Sequence, residues 1–379
     1  STHKPGHGLL LHDHVSAPRQ VANIADLFAM AHPDRLVVSA VNSAEYIPPG
    51  TAREETAMPH AIRIHEHGGP EVMRWEEIAT PEPGPGEARL KQTAVGLNYI
   101  DVYQRKGGYK LDLPASFGME AAGIVEAVGE GVDSVKPGDR VAYVMGPPGA
   151  YAETRVYPAW RLVPLPDDIT DEQAAGMMLK GLTFSYLLRR TYPVKAGDTV
   201  LFHAAAGGVG LIACQWLKQL GATVIGTVGS DEKAEIARAH GCDHPINYNT
   251  EDFAARVLEI TGGEGVPVVY DGVGASTYEG SLQSLARFGV FVHFGAASGP
   301  PPAVPGSALA GRALYFTRPG LAPHTATREL LLDAANALFE AVRKGVKIEI
   351  NQRHALQDAA DAHRALEARE TTGSTVLKV

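Results

Sequence analysis

Residues 201–210, Leu-Phe-His-Ala-Ala-Ala-Gly-Gly-Val-Gly, constrain this chain more than any other stretch of ten. They leave an apolar run, Thr199–His203, that reads as a buried strand, and open a periodic apolar run, Val209–Leu220, that reads as a helix. In the frame G-x-G-x-x-G, Ala205 fills the first slot, Gly207 the second and Gly210 the third. A glycine in the second slot lets backbone approach a pyrophosphate, and one in the third lets the helix lie close on the strand. The helix N-terminus adds free N–H groups and partial positive charge. A plain tight turn uses the same glycines, so the motif counts only in a strand–turn–helix–strand setting, which is present here.

Strand Ala222–Val228, helix Asp231–His240, strand Val266–Tyr270, helix Ser276–Arg287 and strand Val290–Phe294 follow. That alternation predicts βαβ units and a parallel sheet. Between Met58 and about Gly181 the rhythm differs. Short apolar segments (Glu87–Val95, Gly123–Val128, Arg140–Val144) are broken by Pro81, Pro83, Pro85 and Lys136-Pro137-Gly138-Asp139. This is the cadence of a β-rich domain with many turns. The tail carries a helical pattern over Thr325–Arg343, a strand Lys347–Ile350, a helix Leu356–Ala368 and a last strand Ser374–Lys378. Residues 1–57 stand apart, with His3, His7, His12, His14 and His32 and the turn-rich Pro48-Pro49-Gly50. The expectation for them is a poorly ordered extension, with metal binding by the spaced histidines as the sharper alternative. Met58 is then a candidate initiator.

The 379 residues are 45% hydrophobic and 20% charged, enough for a buried core and two to three domains. A net charge of -9 repels phosphate backbones, so no nucleic-acid partner is expected. Cys214 and Cys242 are the only cysteines. Two thiols cannot make a disulfide framework or a thiolate metal cage, and they suit a reducing, cytoplasmic setting. No run of 18 or more apolar residues is present, so no membrane span is expected.

The strand after the glycine-rich turn identifies the nucleotide. Binders of NAD place a carboxylate about 20 residues on, to hold the ribose 2′-hydroxyl. Here that strand ends Gly226-Thr227-Val228-Gly229-Ser230, without an acid. Asp231 and Glu232 fit the first turn of the next helix, where they favour its dipole. Lys233 and Tyr248 could reach a 2′-phosphate, so the pattern favours NADPH, although Lys233 by itself also reads as a solvated surface lysine. Metal ligands are scarce. Between His67 and His203 there is neither histidine nor cysteine, so an ordinary zinc site cannot be assembled in the first domain. Hydride transfer without a Lewis acid calls for an acceptor that is electron-poor by itself, such as a quinone or an α,β-unsaturated carbonyl.

A set of segments carries a family likeness: Val95–Tyr103 (Val-Gly-Leu-Asn-Tyr-Ile-Asp-Val-Tyr), Gly118-Met119-Glu120-Ala121-Ala122-Gly123, Leu179-Lys180-Gly181-Leu182-Thr183, Phe202 to Trp216, Tyr270–Gly274 and Phe294-Gly295. From Met58 to Val379 the chain resembles the zinc-free NADPH:quinone oxidoreductases, the zeta-crystallin-like branch of the medium-chain dehydrogenase/reductase superfamily. In zinc relatives the place of Met119 holds the histidine of a Gly-His-Glu motif. The resemblance implies an α/β fold of two domains. A GroES-like β-rich catalytic domain would span 58–181 and 324–379, interrupted by a Rossmann domain with a doubly wound parallel sheet at 182–323.

By the same resemblance Asn98 and Tyr103 lie at the nicotinamide and substrate cleft, and Thr183 at the head of a helix facing the cofactor. Gly207, Gly208 and Val209 wrap the pyrophosphate. Gly229, Ser230, Lys233, Tyr248 and Arg369 hold the adenosine 2′-phosphate. Gly272, Phe294, Gly295, Ala296, Ser298, Phe316 and Thr317 line the rest of the groove, with Ala296-Ala297 a departure from some relatives. The implied activity is transfer of hydride or electrons from NADPH to a quinone, with Asn98, Tyr103 and Tyr109 as positioning candidates. An enone or enoyl-thioester reductase would share every cofactor residue, and a non-catalytic NADPH-binding or RNA-binding crystallin-like protein is the alternative of another class. A homodimer is expected through Val290–Phe294 or Ala313–Thr317 as an edge strand.

Overall fold

The computed structural model of the chain describes residues 58–79 and 81–379, and the histidine-rich stretch 1–57 with its expected poor order lies outside them. The first half is built on strands β1 (His60–Ile64), β2 (Met73–Glu77), β3 (Glu87–Leu97), β4 (Ala115–Ser116), β5 (Glu120–Val128), β6 (Arg140–Val144), β7 (Thr154–Pro158) and β8 (Val163–Pro164). Helix α1 (Tyr99–Arg105) follows β3, and helix α2 (Asp171–Tyr186) follows β8. Five βα units come next: β9 (Thr199–Phe202), α3 (Gly208–Gln219), β10 (Thr223–Val228), α4 (Asp231–Ala239), β11 (His244–Asn247), α5 (Phe253–Ile260), β12 (Val266–Asp271), α6 (Tyr278–Ser284), β13 (Leu285–His293) and α7 (Gly306–Ala310). The tail runs β14 (Tyr315–Thr317), α8 (Leu321–His324), α9 (Arg328–Arg343), β15 (Ile350–Ala355), α10 (Ala359–Glu367) and β16 (Ser374–Lys378).

The parallel sheet has the order β11-β10-β9-β12-β13-β14, so the winding reverses between β9 and β12. In an open α/β sheet the crevice outside the carboxyl ends at such a reversal is where a dinucleotide binds. The second sheet has the order β15-β16-β3-β5-β6-β8, with β7 also on β3, and the C-terminal strand β16 pairs antiparallel with β3. The chain's end is thereby stitched into its first half.

Helix α2 joins the two sheets. Its residues Ala174–Tyr186 are buried apart from Leu179, and they pack against β3, β5 and β6 on one side and α3 and α9 on the other. A methyl on Gly181 would lie 2.5 Å from the Leu338 side chain, so α2 and α9 cross closely there. The start of α2 is set by a capping box, Thr170 accepting from the Gln173 N–H while Gln173 accepts from Thr170.

Several sequence readings need correction. The helix expected over Ser276–Arg287 stops at Ser284, because Leu285 is buried and already pairs with Val266 as the start of β13. The strand expected at Lys347–Ile350 begins at Ile350, where pairing with β16 starts. Val290–Phe294 is no edge: β13 is paired on both sides, and β14 is the outer strand. Among the described residues no helix is long and apolar enough to cross a membrane.

Candidate functional site

The glycine-rich turn lies at the carboxyl end of β9. Its approach is pinned by His203, buried between the Thr227 hydroxyl (Nδ1 to Oγ1, 2.8 Å) and the Ser281 hydroxyl (Nε2 to Oγ, 2.9 Å). Burial lowers the His203 pKa, so the imidazole is neutral and structural. Gly207 caps α3, and the Gly373 N–H donates to Ala206 O at 3.1 Å, tying the approach to β16 against the turn. A methyl on Gly210 would come within 2.3 Å of Ala204 O and 2.5 Å of Ala205 O, the close helix-on-strand contact its slot requires. A methyl on Gly208 would meet the Lys180 stem at 2.8 Å, so α2 lies directly behind the turn.

At the end of β10 the structure brings Gly229, Ser230, Lys233, Tyr248 and Arg369 together. Ser230 caps α4, accepting from the Lys233 N–H at 3.3 Å. A methyl on Gly229 would stand 2.7 Å from the Tyr248 hydroxyl. Lys233 Nζ donates to the Arg369 carbonyl at 2.5 Å, and Arg369 holds a left-handed φ of 61°. Burial, and then repulsion from the Arg369 guanidinium, lower the Lys233 pKa. Among the described residues neither cation has a carboxylate partner. Asp231, in the first turn of α4, accepts from the Asn247 amide at 2.8 Å.

Beyond β12 and β13 two loops clasp one another at the reversal point. Asp271, fully buried, accepts from the Val273 and Gly274 N–H groups at 2.7 and 3.0 Å and from the Thr277 hydroxyl at 2.8 Å. The Ser298 N–H and hydroxyl donate to Val273 O, and Ala297 N–H to Gly272 O. Gly272 passes under the Phe294 ring (3.0 Å to an added methyl), and Gly295 lies 2.7 Å from Gly272 O by the same measure. Phe316 and Thr317 lie on β14; Phe316 packs edge-on against Phe291 and stacks beside His293.

Helix α1 faces those loops. The Tyr103 hydroxyl accepts from the Ala296 N–H at 3.1 Å, and the Tyr99 hydroxyl donates to Ala297 O at 3.2 Å. Asn98 is the N-cap of α1: its backbone N–H donates to Asp101 Oδ2 at 2.9 Å, its backbone carbonyl accepts from the Asp101 N–H, and its side chain makes no capping hydrogen bond. Its amide nitrogen donates to Glu120 Oε2 at 2.7 Å and Gly96 O at 3.3 Å. Tyr109 lies beyond the C-terminal end of α1 and is 47% exposed. Thr183 is not at a helix head: it is buried in the last turn of α2, because the helix begins twelve residues earlier at Asp171. Tyr99, Glu120 and Lys180 escaped sequence reading as site residues. The signal for the last two was a charge inside an apolar run, since both are buried. No group of three or more His, Cys, Asp or Glu is placed to hold a metal among the described residues.

Comparison with known proteins agrees with this layout. A family model described as alcohol dehydrogenase GroES-like domain matches residues 84–167, and one described as zinc-binding dehydrogenase matches 208–320. The chain is 53% identical over 323 residues to a quinone oxidoreductase of Pseudomonas aeruginosa, covering 84% of this chain and 99% of that one. It is 46% identical over 327 residues to a 2-haloacrylate reductase of a Burkholderia species, covering 84% and 98%. The crystal structure of Escherichia coli quinone oxidoreductase complexed with NADPH superposes with a TM-score of 0.83 at 47% identity, covering 84% of this chain and all of that one.

Proposed function

The chain belongs to the quinone oxidoreductase family of the medium-chain dehydrogenase/reductase superfamily, and from that premise we propose that it reduces a quinone with NADPH and without zinc. The observation that carries the cofactor is the pair Lys233–Arg369: the ammonium is held on the arginine's backbone carbonyl and repelled by its guanidinium, and among the described residues neither cation has a carboxylate ion-pair partner. Two cations that repel each other without a carboxylate partner favour a dianion, and a 2′-phosphate supplies one. The donor set therefore fits NADPH: Gly207, Gly208 and Val209 for the pyrophosphate, and Gly229, Ser230, Lys233, Tyr248 and Arg369 for the 2′-phosphate. Gly272, Phe294, Gly295, Ala296, Ser298, Phe316 and Thr317 would line the groove. Met119, buried and taking a contact from the Gln104 amide at 3.0 Å, offers a thioether where zinc would want imidazole.

When bound, NADPH supplies the hydride from its nicotinamide ring. The chain's part is to orient, to donate hydrogen bonds and to exclude water. Tyr103 spends its oxygen on the Ala296 N–H and keeps its own proton for a carbonyl oxygen of the acceptor. Burial pushes its pKa up to about 12, so it stays a donor through the physiological range. As charge develops on the quinone oxygen that hydrogen bond strengthens. Asn98 orients the ligands, and Tyr109 guards the mouth.

The domains divide as 58–181 with 324–379 and 182–323, a reading supported by β16 on β3; the boundary at 181 falls inside α2, which both halves share. A homodimer through β14 is supported by the exposure of Tyr315 (61%) on that open edge and of Phe288 (63%) on the adjoining strand β13. A cytoplasmic location agrees with two buried free thiols. A second reading, reduction of an electron-poor alkene, is favoured by the likeness to the 2-haloacrylate reductase. Parallel kcat/KM measurements with NADPH against 1,4-benzoquinone, 2-chloroacrylate and crotonyl-CoA separate them. A quinone preference supports the main reading, and turnover of the alkenes alone replaces it.

A further inference from the structure

Asn98 reaches the cleft with both of its amide protons already committed. They go to acceptors, Glu120 Oε2 and Gly96 O. A flipped amide would set its oxygen 2.7 Å from a carboxylate oxygen, so the orientation is dictated by the neighbours. The carboxylate is fixed in turn: Glu120 Oε1 accepts from the Leu179 N–H at 2.6 Å, and Oε2 faces Lys180 Nζ at 3.5 Å. Lys180 Nζ also donates to Leu97 O at 3.2 Å, one residue before Asn98. Glu120 is wholly buried and Lys180 is 6% exposed. Room for the arrangement comes from Gly96, where a methyl would stand 2.4 Å from Glu120 Oε2. A buried ion pair adds little stability over apolar residues of the same volume, so folding alone gives weak reason for this one.

We infer that Glu120 and Lys180 are positioning residues that lock the Asn98 amide so that only its oxygen is offered to a ligand. Asn98 is then an acceptor, suited to a donor on the nicotinamide half of the cofactor (a carboxamide N–H or a ribose hydroxyl), and not a donor to the quinone oxygen. The Lys180 stem against Gly208 joins this lock to the pyrophosphate turn. The Lys180 charge opposes the burial that raises the Glu120 pKa. The inference rests on the reading that NADPH occupies this cleft.

Calorimetric titration of the full chain with NADPH and with adenosine 2′,5′-bisphosphate, which lacks the nicotinamide half, tests it. Glu120→Gln can donate to Asn98 and so permits the flip. Its NADPH Kd should rise about tenfold, the value of one lost hydrogen bond, with bisphosphate binding unchanged. Lys180→Met, which removes the charge that opposes Glu120 protonation, should show the same split. The double variant Asn98→Asp/Glu120→Gln keeps the net charge of the cluster, restores an acceptor in the cleft and should recover most of the NADPH affinity. Wild-type NADPH affinity in a folded Glu120→Gln, equal weakening for both probes, or a folded double variant still weak for NADPH alone would each overturn the inference. If Glu120→Gln does not fold, the double variant decides by the same criterion. NADPH binding by the wild type is a separate measurement, on which the cofactor reading stands or falls.

Discussion

Lys233 and Arg369 lie 136 positions apart in the chain and meet at the end of β10, the lysine donating to the arginine's backbone carbonyl at 2.5 Å. Bringing them together takes β16, whose pairing with β3 returns the chain from α10 to the glycine-rich turn. Each removed cation should weaken NADPH binding about ten- to hundredfold, the range of a charge-assisted hydrogen bond. In Lys233→Ala and Arg369→Ala, KM for NADPH should rise by that factor while KM for NADH stays put. An equal rise for both cofactors would remove the 2′-phosphate assignment.

Tyr103→Phe deletes a hydroxyl that accepts from the Ala296 N–H and so keeps its own proton to donate, and it also releases that N–H. Steady-state kinetics should show kcat for a quinone falling about tenfold with little change in KM for NADPH, since the lost bond is strongest when charge develops. A variant with wild-type kcat would exclude the phenol as a donor.

Gly210→Ala places a methyl within 2.3 Å of one backbone carbonyl and 2.5 Å of the next. Backbone cannot yield as a side chain can, so α3 must move off β9. Thermal melting should show a loss of about 1–3 kcal/mol, and NADPH affinity should fall with it. An unchanged melting temperature and Kd would mean that the third slot carries no packing duty.

The parallel sheet and its glycine-rich turn were legible because a buried strand, a tight turn and an amphipathic helix all leave local marks. Strand β16 was read to the residue. The elements missed have specific causes. β11 contains Pro245, which argues against a central strand, and it is in fact an outer strand of the sheet. Helix α2 was hidden because it is apolar on nearly every face, so it shows no amphipathic period, although its Thr170–Gln173 capping box was visible. That oversight also misplaced Thr183. The contacts of Asn98 with Glu120 and of Lys233 with Arg369 are tertiary, and no spacing in the sequence encodes them. The resemblance assigns Asn98, Lys233 and Arg369 to a cofactor cleft, and the structure shows the contacts each of them makes.

A buried relay beneath α1 makes a pH prediction of definite sign. Arg105, a donor only, gives a hydrogen bond to His363 Nδ1 at 3.0 Å. His363 Nε2–H therefore donates to the Tyr151 hydroxyl at 3.0 Å, which donates to Asp101 Oδ2 at 3.0 Å. Burial, then the Arg105 charge, depresses the His363 pKa to about 3, while burial raises Asp101 to about 7. The histidine's contribution is full above its unfolded pKa of 6.5 and is lost as pH falls toward 3. The aspartate's is present below its unfolded pKa of 3.8 and is lost as pH rises through 7. The two oppose each other between about pH 4 and 6.5. Asp101→Asn should therefore gain stability as pH rises across that window, by up to about 1.4 kcal/mol per pH unit, and His363→Gln should lose it. Urea midpoints at both ends of the window give the slopes. Parallel slopes in wild type and both variants would contradict the relay.

The most direct measurement is the oxidation of NADPH at 340 nm with 9,10-phenanthrenequinone as acceptor, repeated with NADH and again after chelator treatment. A zinc-independent NADPH:quinone oxidoreductase gives rapid turnover with NADPH, little with NADH and no change with chelator. Absence of quinone reduction by a chain that binds NADPH, or turnover abolished by the chelator, contradicts that assignment.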